Sequence, residues 1–133
     1  MWLSLKHEIP AMLKTGGGVI VNTASFLGLV GFPTIPVYVA SKHAVIGLTN
    51  AVALEYATQH VRVNAVAPGA IDTRIFRDVA ATPEVRQMLE SAQPMGRIGQ
   101  PDEIASTVVW LCSDRASFIT GQTFLIDGGY TAQ

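Results

Sequence analysis

Three short apolar runs, far apart in the chain and separated by helical stretches, constrain the fold more than any other feature. Val19-Ile20-Val21, Val61-Arg62-Val63-Asn64-Ala65-Val66 and Gln122-Thr123-Phe124-Leu125-Ile126 have strand length and are rich in β-branched residues. Segments with apolar residues at helical spacing lie between them. Neighbouring strands joined by a tight turn run antiparallel, whereas strands joined through helices run parallel with right-handed crossovers. The order helix, strand, helix, strand, helical pieces, helix, strand therefore predicts an α/β fold with a parallel sheet.

The first helix is expected over 2–14, with Trp2, Leu5, Ile9, Met12 and Leu13 on its apolar positions and Gly16-Gly17-Gly18 ending it. No capping residue precedes it, so the chain is expected to start inside a helix of a larger frame. Residues 22–36 read as loop, with Gly28, Gly31, Pro33 and Pro36 as breakers. A long helix follows over 37–59, and its Ala40, Ala44, Gly47 and Ala51 form a stripe of small residues that permits close approach of another element, expected as a mixture of packing within the chain and subunit contact. Pro68-Gly69 ends the second strand. Two short helical pieces, 75–80 and 83–92, have the mixed composition of a lid, and 94–99 is loop. Pro101 opens the last helix, with Asp102 and Glu103 in its first turn, where the helix dipole favours negative charge. Three strands make a thin sheet with an uncovered edge at 19–21, so the expected architecture is half of a doubly wound sheet.

Composition excludes several functions. The 133 residues are 49% hydrophobic and 14% charged, which rules out a disordered chain. A net charge of −1 without a basic patch argues against nucleic acid. Cys112 is the single cysteine and sits in the apolar run Val108-Val109-Trp110-Leu111, so a buried thiol is expected. His7, His43 and His60 are not spaced as ligands, and no metal site is expected. No uninterrupted apolar run reaches the ~18 residues of a membrane span, and the first residues do not read as a signal peptide. A cytoplasmic protein acting on neither membrane nor nucleic acid is the expectation.

The candidate chemistry sits at Ser25, Tyr38 and Lys42. Four residues of helix turn through about 400°, so Tyr38 and Lys42 share one face. An ammonium beside a phenol favours the phenolate, and such a hydroxyl can exchange a proton with a carbinol or a carbonyl.

Gly17-Gly18-Val19-Ile20-Val21-Asn22-Thr23-Ala24-Ser25, Tyr38-Val39-Ala40-Ser41-Lys42, Val63-Asn64-Ala65-Val66-Ala67-Pro68-Gly69 and Gly121 with Asp127-Gly128-Gly129 follow one another in register. Together they resemble the C-terminal half of the short-chain dehydrogenase/reductase family, across essentially the whole chain. The resemblance implies a Rossmann-type doubly wound parallel sheet, of which residues 1–133 form a partial dinucleotide-binding domain without its N-terminal cofactor-binding strands. It implies an oxidoreductase that uses NAD or NADP and interconverts a secondary alcohol and a ketone. Tyr38 then resembles the acid/base, Lys42 the residue that supports it and binds the nicotinamide ribose, and Ser25 the hydroxyl that holds the substrate oxygen. Pro68 and Gly69 resemble the loop under the nicotinamide, and Ile71 and Thr73 its contacts to carboxamide and phosphates, although Asp72-Thr73 also reads locally as a helix cap. Arg74 reads as solvated. Phe26, Leu27, Phe32 and Met95 are candidates for the substrate pocket or for ordinary packing, and Trp110 for the core.

The family's glycine-rich phosphate turn is not among these residues, since no G-x-x-x-G-x-G occurs. Its coenzyme-selecting residue and the asparagine that completes its catalytic set are missing as well. Nucleotide binding by the chain alone is therefore expected to be weak. The alternative is a truncated, non-catalytic remnant or dimerisation module. The family's usual interface implies a homo-oligomer through helices 2–14 and 37–59.

Overall fold

The computed structural model describes all 133 residues. The chain runs α1 (Trp2–Lys14), β1 (Gly18–Thr23), α2 (Pro36–Tyr56), β2 (Val61–Pro68), α3 (Arg74–Val79), α4 (Pro83–Ser91), α5 (Pro101–Cys112) and β3 (Thr123–Ile126), with 3-10 turns at Phe26–Gly28, Ala57–Gln59, Asp114–Ala116 and Tyr130–Ala132. The sheet order is β1-β2-β3, and both pairings are parallel. The expected α/β architecture is present, with β1 and β2 longer than their apolar runs marked and β3 one residue shorter. β1 takes in Asn22 and Thr23, because pairing with β2 continues to Thr23 opposite Val66. The β1–α1 junction depends on Gly17, whose φ of 125° suits glycine and whose Cβ position would lie 2.3 Å from the His60 carbonyl oxygen.

α1 and α2 cover one face of the sheet and α5 the other. Leu5 and Ile9 of α1 and Val52 and Ala53 of α2 pack on Ile20, Val61 and Val63. Farther along that face, Ala24 and Ile46 meet Ala65 and Ala67. On the opposite face Leu111, Ala116 and Trp110 enclose Val66, Phe124 and Ile126, and Trp110 meets Phe124 edge-on at 5.8 Å.

Arg62 and Asn64 break the simple polar-outward reading of a strand. Both point to the α5 side, and Asn64 is fully buried. Its amide donates to the Ile119 carbonyl at 3.0 Å and accepts from the Gln122 N–H at 3.0 Å. The Arg62 guanidinium donates to the carbonyls of Leu111, Ser113 and Ile119. These two side chains satisfy the open C-terminal carbonyls of α5 and the turn that leads into β3.

Two expectations are corrected. Cys112 is exposed, because Leu111 beside it takes the inward position on α5. The stripe Ala40, Ala44, Gly47 and Ala51 is also exposed, and nothing lies within 4 Å of a Cβ at Gly47, so no element of this chain packs there. By length and composition Pro36–Gln59 is apolar enough to cross a membrane, with a mean hydropathy of 1.2. Counting uninterrupted apolar residues did not signal this. The buried side of this stretch, Ile46, Thr49, Val52 and Ala53, packs on the sheet.

Candidate active site

Ser25 follows the C-terminal end of β1, Lys42 of α2 reaches back to that strand end, and Tyr38 lies beside Lys42 on α2. Beyond Thr23 the chain stays extended through Ser25 (φ −167°, ψ 156°) and then enters the turn Phe26–Gly28. Ser25 caps that turn, its Oγ accepting from the Leu27 N–H at 3.2 Å. Used this way, the hydroxyl keeps its own hydrogen to donate. Ser25 is 6% exposed.

Gly28 lets this turn press onto α2. A Cβ there would lie 2.8 Å from the Lys42 carbonyl oxygen and 2.7 Å from Ile46 Cδ1. From the other side, Lys42 Nζ donates to the Thr23 carbonyl at 3.2 Å. One turn of α2 is thus tied both to the end of β1 and to the turn that Ser25 caps. Tyr38 lies one helical turn earlier, with the Lys42 ammonium 5.6 Å from its ring centroid. Tyr38 is 45% exposed and its hydroxyl has no hydrogen-bond partner within the chain. Ser41 Oγ donates to the Tyr38 carbonyl at 2.6 Å and His43 meets the Val39 carbonyl, so both serve the helix. The loop that delivers Tyr38 contains Thr34 at φ 72°, a strained conformation for a β-branched residue.

β2 supplies the neighbouring edge. Gly69 N–H donates to the Ile126 carbonyl at 2.9 Å. Ile71 forms a bridge with Gly99 and is half-buried. Thr73 caps α3, accepting from the Phe76 N–H at 3.3 Å. Asp72 instead pairs with Arg77 at 2.8 Å, and the hydrogen bond from Arg77 holds its carboxyl below the usual range. Arg74 is exposed.

A cleft of about 230 Å³ opens nearby between residues 70–71, 93–99 and the end of β3. Met95 lines it, while Ser25, Tyr38 and Lys42 do not. Its rim is fixed by Arg97, which grips Glu103 at 2.9 and 2.7 Å. The Arg97 guanidinium and the Gln100 N–H bring the Glu103 carboxyl down to about 2. Of the other pocket candidates, Leu27 is buried, Phe32 is exposed, and Phe26 meets Tyr130. No cluster of His, Cys, Asp and Glu converges on a metal position.

Sequence reasoning did not single out Asp127, Tyr130 or Thr131 as a unit. Asp127 Oδ1 accepts from the Gly129 N–H, and Oδ2 accepts from the N–H and hydroxyl of Thr131 at 3.0 and 2.6 Å. Burial opposes the charged form, yet these donors hold the carboxyl below its ordinary range. An Asp followed by two glycines directly after a strand is a turn signal that could have revealed the clasp.

A family profile described as enoyl-(acyl carrier protein) reductase matches residues 1–131. The chain is 47% identical over 133 residues to a protein named cyclohexanol dehydrogenase from Acinetobacter sp. (strain SE19), covering 100% of this chain and 51% of that protein. A solved structure described as a gluconate 5-dehydrogenase from Beutenbergia cavernae with bound NADP superposes with a TM-score of 0.94 at 39% identity, covering 99% of this chain and 53% of the other. A 4-hydroxyisoleucine dehydrogenase complexed with NADH superposes with the same score, 0.94, at 39% identity, over 99% and 55% of the two chains. The chain therefore spans about half the length of the relatives it matches.

Proposed function

The chain belongs to the short-chain dehydrogenase/reductase family, and from that premise we propose that it forms the proton-transfer half of an NAD- or NADP-dependent oxidoreductase acting on a secondary alcohol and its ketone. The observation that supports this reading is the double anchoring of Lys42, to Thr23 and against Gly28, which fixes its turn of α2 against the end of β1 and the turn that Ser25 caps. Ligands of open parallel sheets bind at the carboxyl ends of the strands.

The residues fit the nicotinamide end of such a cofactor. Lys42 spends one donor on Thr23 and has others for the ribose. Thr73 accepts from Phe76, which leaves its hydroxyl hydrogen for a phosphate. Ile71 would contact the carboxamide, and Pro68 and Gly69 would border the nicotinamide. The pyrophosphate has no glycine-rich turn in this sequence. When bound, the nicotinamide supplies or accepts the hydride.

In oxidation the Tyr38 oxygen takes the proton of the alcohol, while the Ser25 hydroxyl donates to the same substrate oxygen and holds it in place. Lys42 puts positive charge beside the tyrosine as negative charge moves. In reduction Tyr38 returns the proton to the developing alkoxide. The test is a fusion in which this chain replaces the matching half of the 47%-identical cyclohexanol dehydrogenase. Turnover of cyclohexanol with NAD or NADP is expected. A folded fusion that binds NADH but oxidises no secondary alcohol would favour the non-catalytic reading.

A dimerisation role has its own support. Val37 and Leu54 are each 82% exposed and continue the stripe of Ala40, Ala44, Gly47 and Ala51, and on α1 Trp2 and Leu3 are 57% and 68% exposed. Exposed apolar faces of this kind mark contact sites, and self-association through α1 and α2 follows. Light scattering on the purified chain is expected to show an oligomer that Leu54→Glu converts to monomer. A wild-type monomer at micromolar concentration would contradict it.

A further inference from the structure

We infer that Tyr130 is a specificity-determining residue of the proposed site, forming with Phe26 an aromatic wall beside Ser25 that accepts the apolar face of an alicyclic ring. The inference rests on the dehydrogenase reading above. Phe26 directly follows Ser25, and the two are locked in one turn by Ser25 Oγ on the Leu27 N–H and by the Gly28 N–H on the Ser25 carbonyl at 2.8 Å. The Phe26 ring meets Tyr130 at a centroid distance of 4.7 Å and 65° between planes. Neither ring belongs to the three core clusters, and both are half-buried, so the pair is not a piece of the sheet packing.

Tyr130 arrives from the far end of the chain, and its position is held by a dedicated device. Asp127 is 9% exposed, has no Lys or Arg partner, and spends its carboxylate on the donors of Gly129 and Thr131 that flank Tyr130. The Tyr130 N–H bonds the Asp127 carbonyl at 3.2 Å. Gly129, at φ 86°, turns the chain, and a Cβ there would lie 3.3 Å from Pro94. A buried carboxylate satisfied only by local donors stabilises one turn geometry, and the element this geometry delivers is the Tyr130 ring against Phe26. Two rings edge to face make a rigid apolar corner that loses little side-chain entropy on contact. Because Phe26 directly follows Ser25, a six-membered alicyclic alcohol held at the Ser25 hydroxyl would offer that corner more apolar surface than a three-carbon alcohol.

The test uses the fusion described above with cyclohexanol and propan-2-ol. Tyr130→Ala is expected to lower kcat/KM for cyclohexanol by about tenfold or more, mainly through KM, and to leave propan-2-ol within about threefold. Tyr130→Phe retains both values, since the ring makes the contact. Should the alanine variant fold poorly, Tyr130→Leu keeps apolar bulk without the flat ring and is expected to show the same selectivity. Equal losses on both alcohols, or no loss on cyclohexanol, would overturn the inference. A wild-type fusion that oxidises neither alcohol would overturn the dehydrogenase reading, and this one with it.

Discussion

Tyr38→Phe in the fusion with the nucleotide-binding half of the cyclohexanol dehydrogenase is expected to lower kcat by about 10²–10⁴-fold, the range general acid/base groups contribute. Stability should hardly change. Tyr38 is 45% exposed, and its hydroxyl makes no hydrogen bond inside the chain, so removing one oxygen leaves no partner orphaned. NADH binding should also persist, because Lys42 is anchored through Thr23 and Gly28, independently of the phenol. The combination of lost turnover, unchanged thermal midpoint and unchanged nucleotide affinity separates a chemical role from a structural one. Turnover within tenfold of wild type would remove Tyr38 from the acid/base role.

Asn64→Leu is expected to have the largest effect on folding. Asn64 is fully buried in the middle of β2 and bonds both the Ile119 carbonyl and the Gln122 N–H. Leucine has similar bulk but no polar atom, so the Gln122 N–H loses its acceptor, while the Ile119 carbonyl keeps the Arg62 guanidinium. For one orphaned group the loss is about 1–3 kcal/mol, a sizeable share of the stability of a domain this size. The thermal midpoint should fall by about 5 °C or more, with the β3 connection opening first in hydrogen exchange. A midpoint within about 2 °C of wild type would show that the turn into β3 is held without Asn64.

Much of the fold was legible in particular residues. The β-branched runs at Val19, Val61 and Phe124 became the three strands, and Pro101 with Asp102 and Glu103 marked the start of α5. Ser25, Tyr38 and Lys42 were legible as a candidate site, and the structure groups Ser25 and Lys42 around the end of β1 with Tyr38 one turn away. Other features were not readable. Cys112 lies in an apolar run and still faces outward, because a run of apolar residues on a helix includes positions from every side. Which side of β2 Arg62 and Asn64 take was also not readable: both turn toward the α5 layer and Asn64 is fully buried, because a parallel sheet covered on both faces has no solvent side. Phe26 was a pocket candidate without a partner, and Tyr130 was not considered at all.

The sequence by itself determined the order and type of the elements, their approximate ends, and the candidates for proton exchange. Periodicities of 3.6 and 2, proline and glycine breaks and the i, i+4 spacing of Tyr38 and Lys42 all act within a few residues along the chain. Only the tertiary structure decided which faces turn inward, that Lys42 reaches back to Thr23, and that Tyr130 closes on Phe26. Those contacts join segments distant in sequence, and they are set by how helices and strands pack across the sheet, a relation that no local pattern encodes.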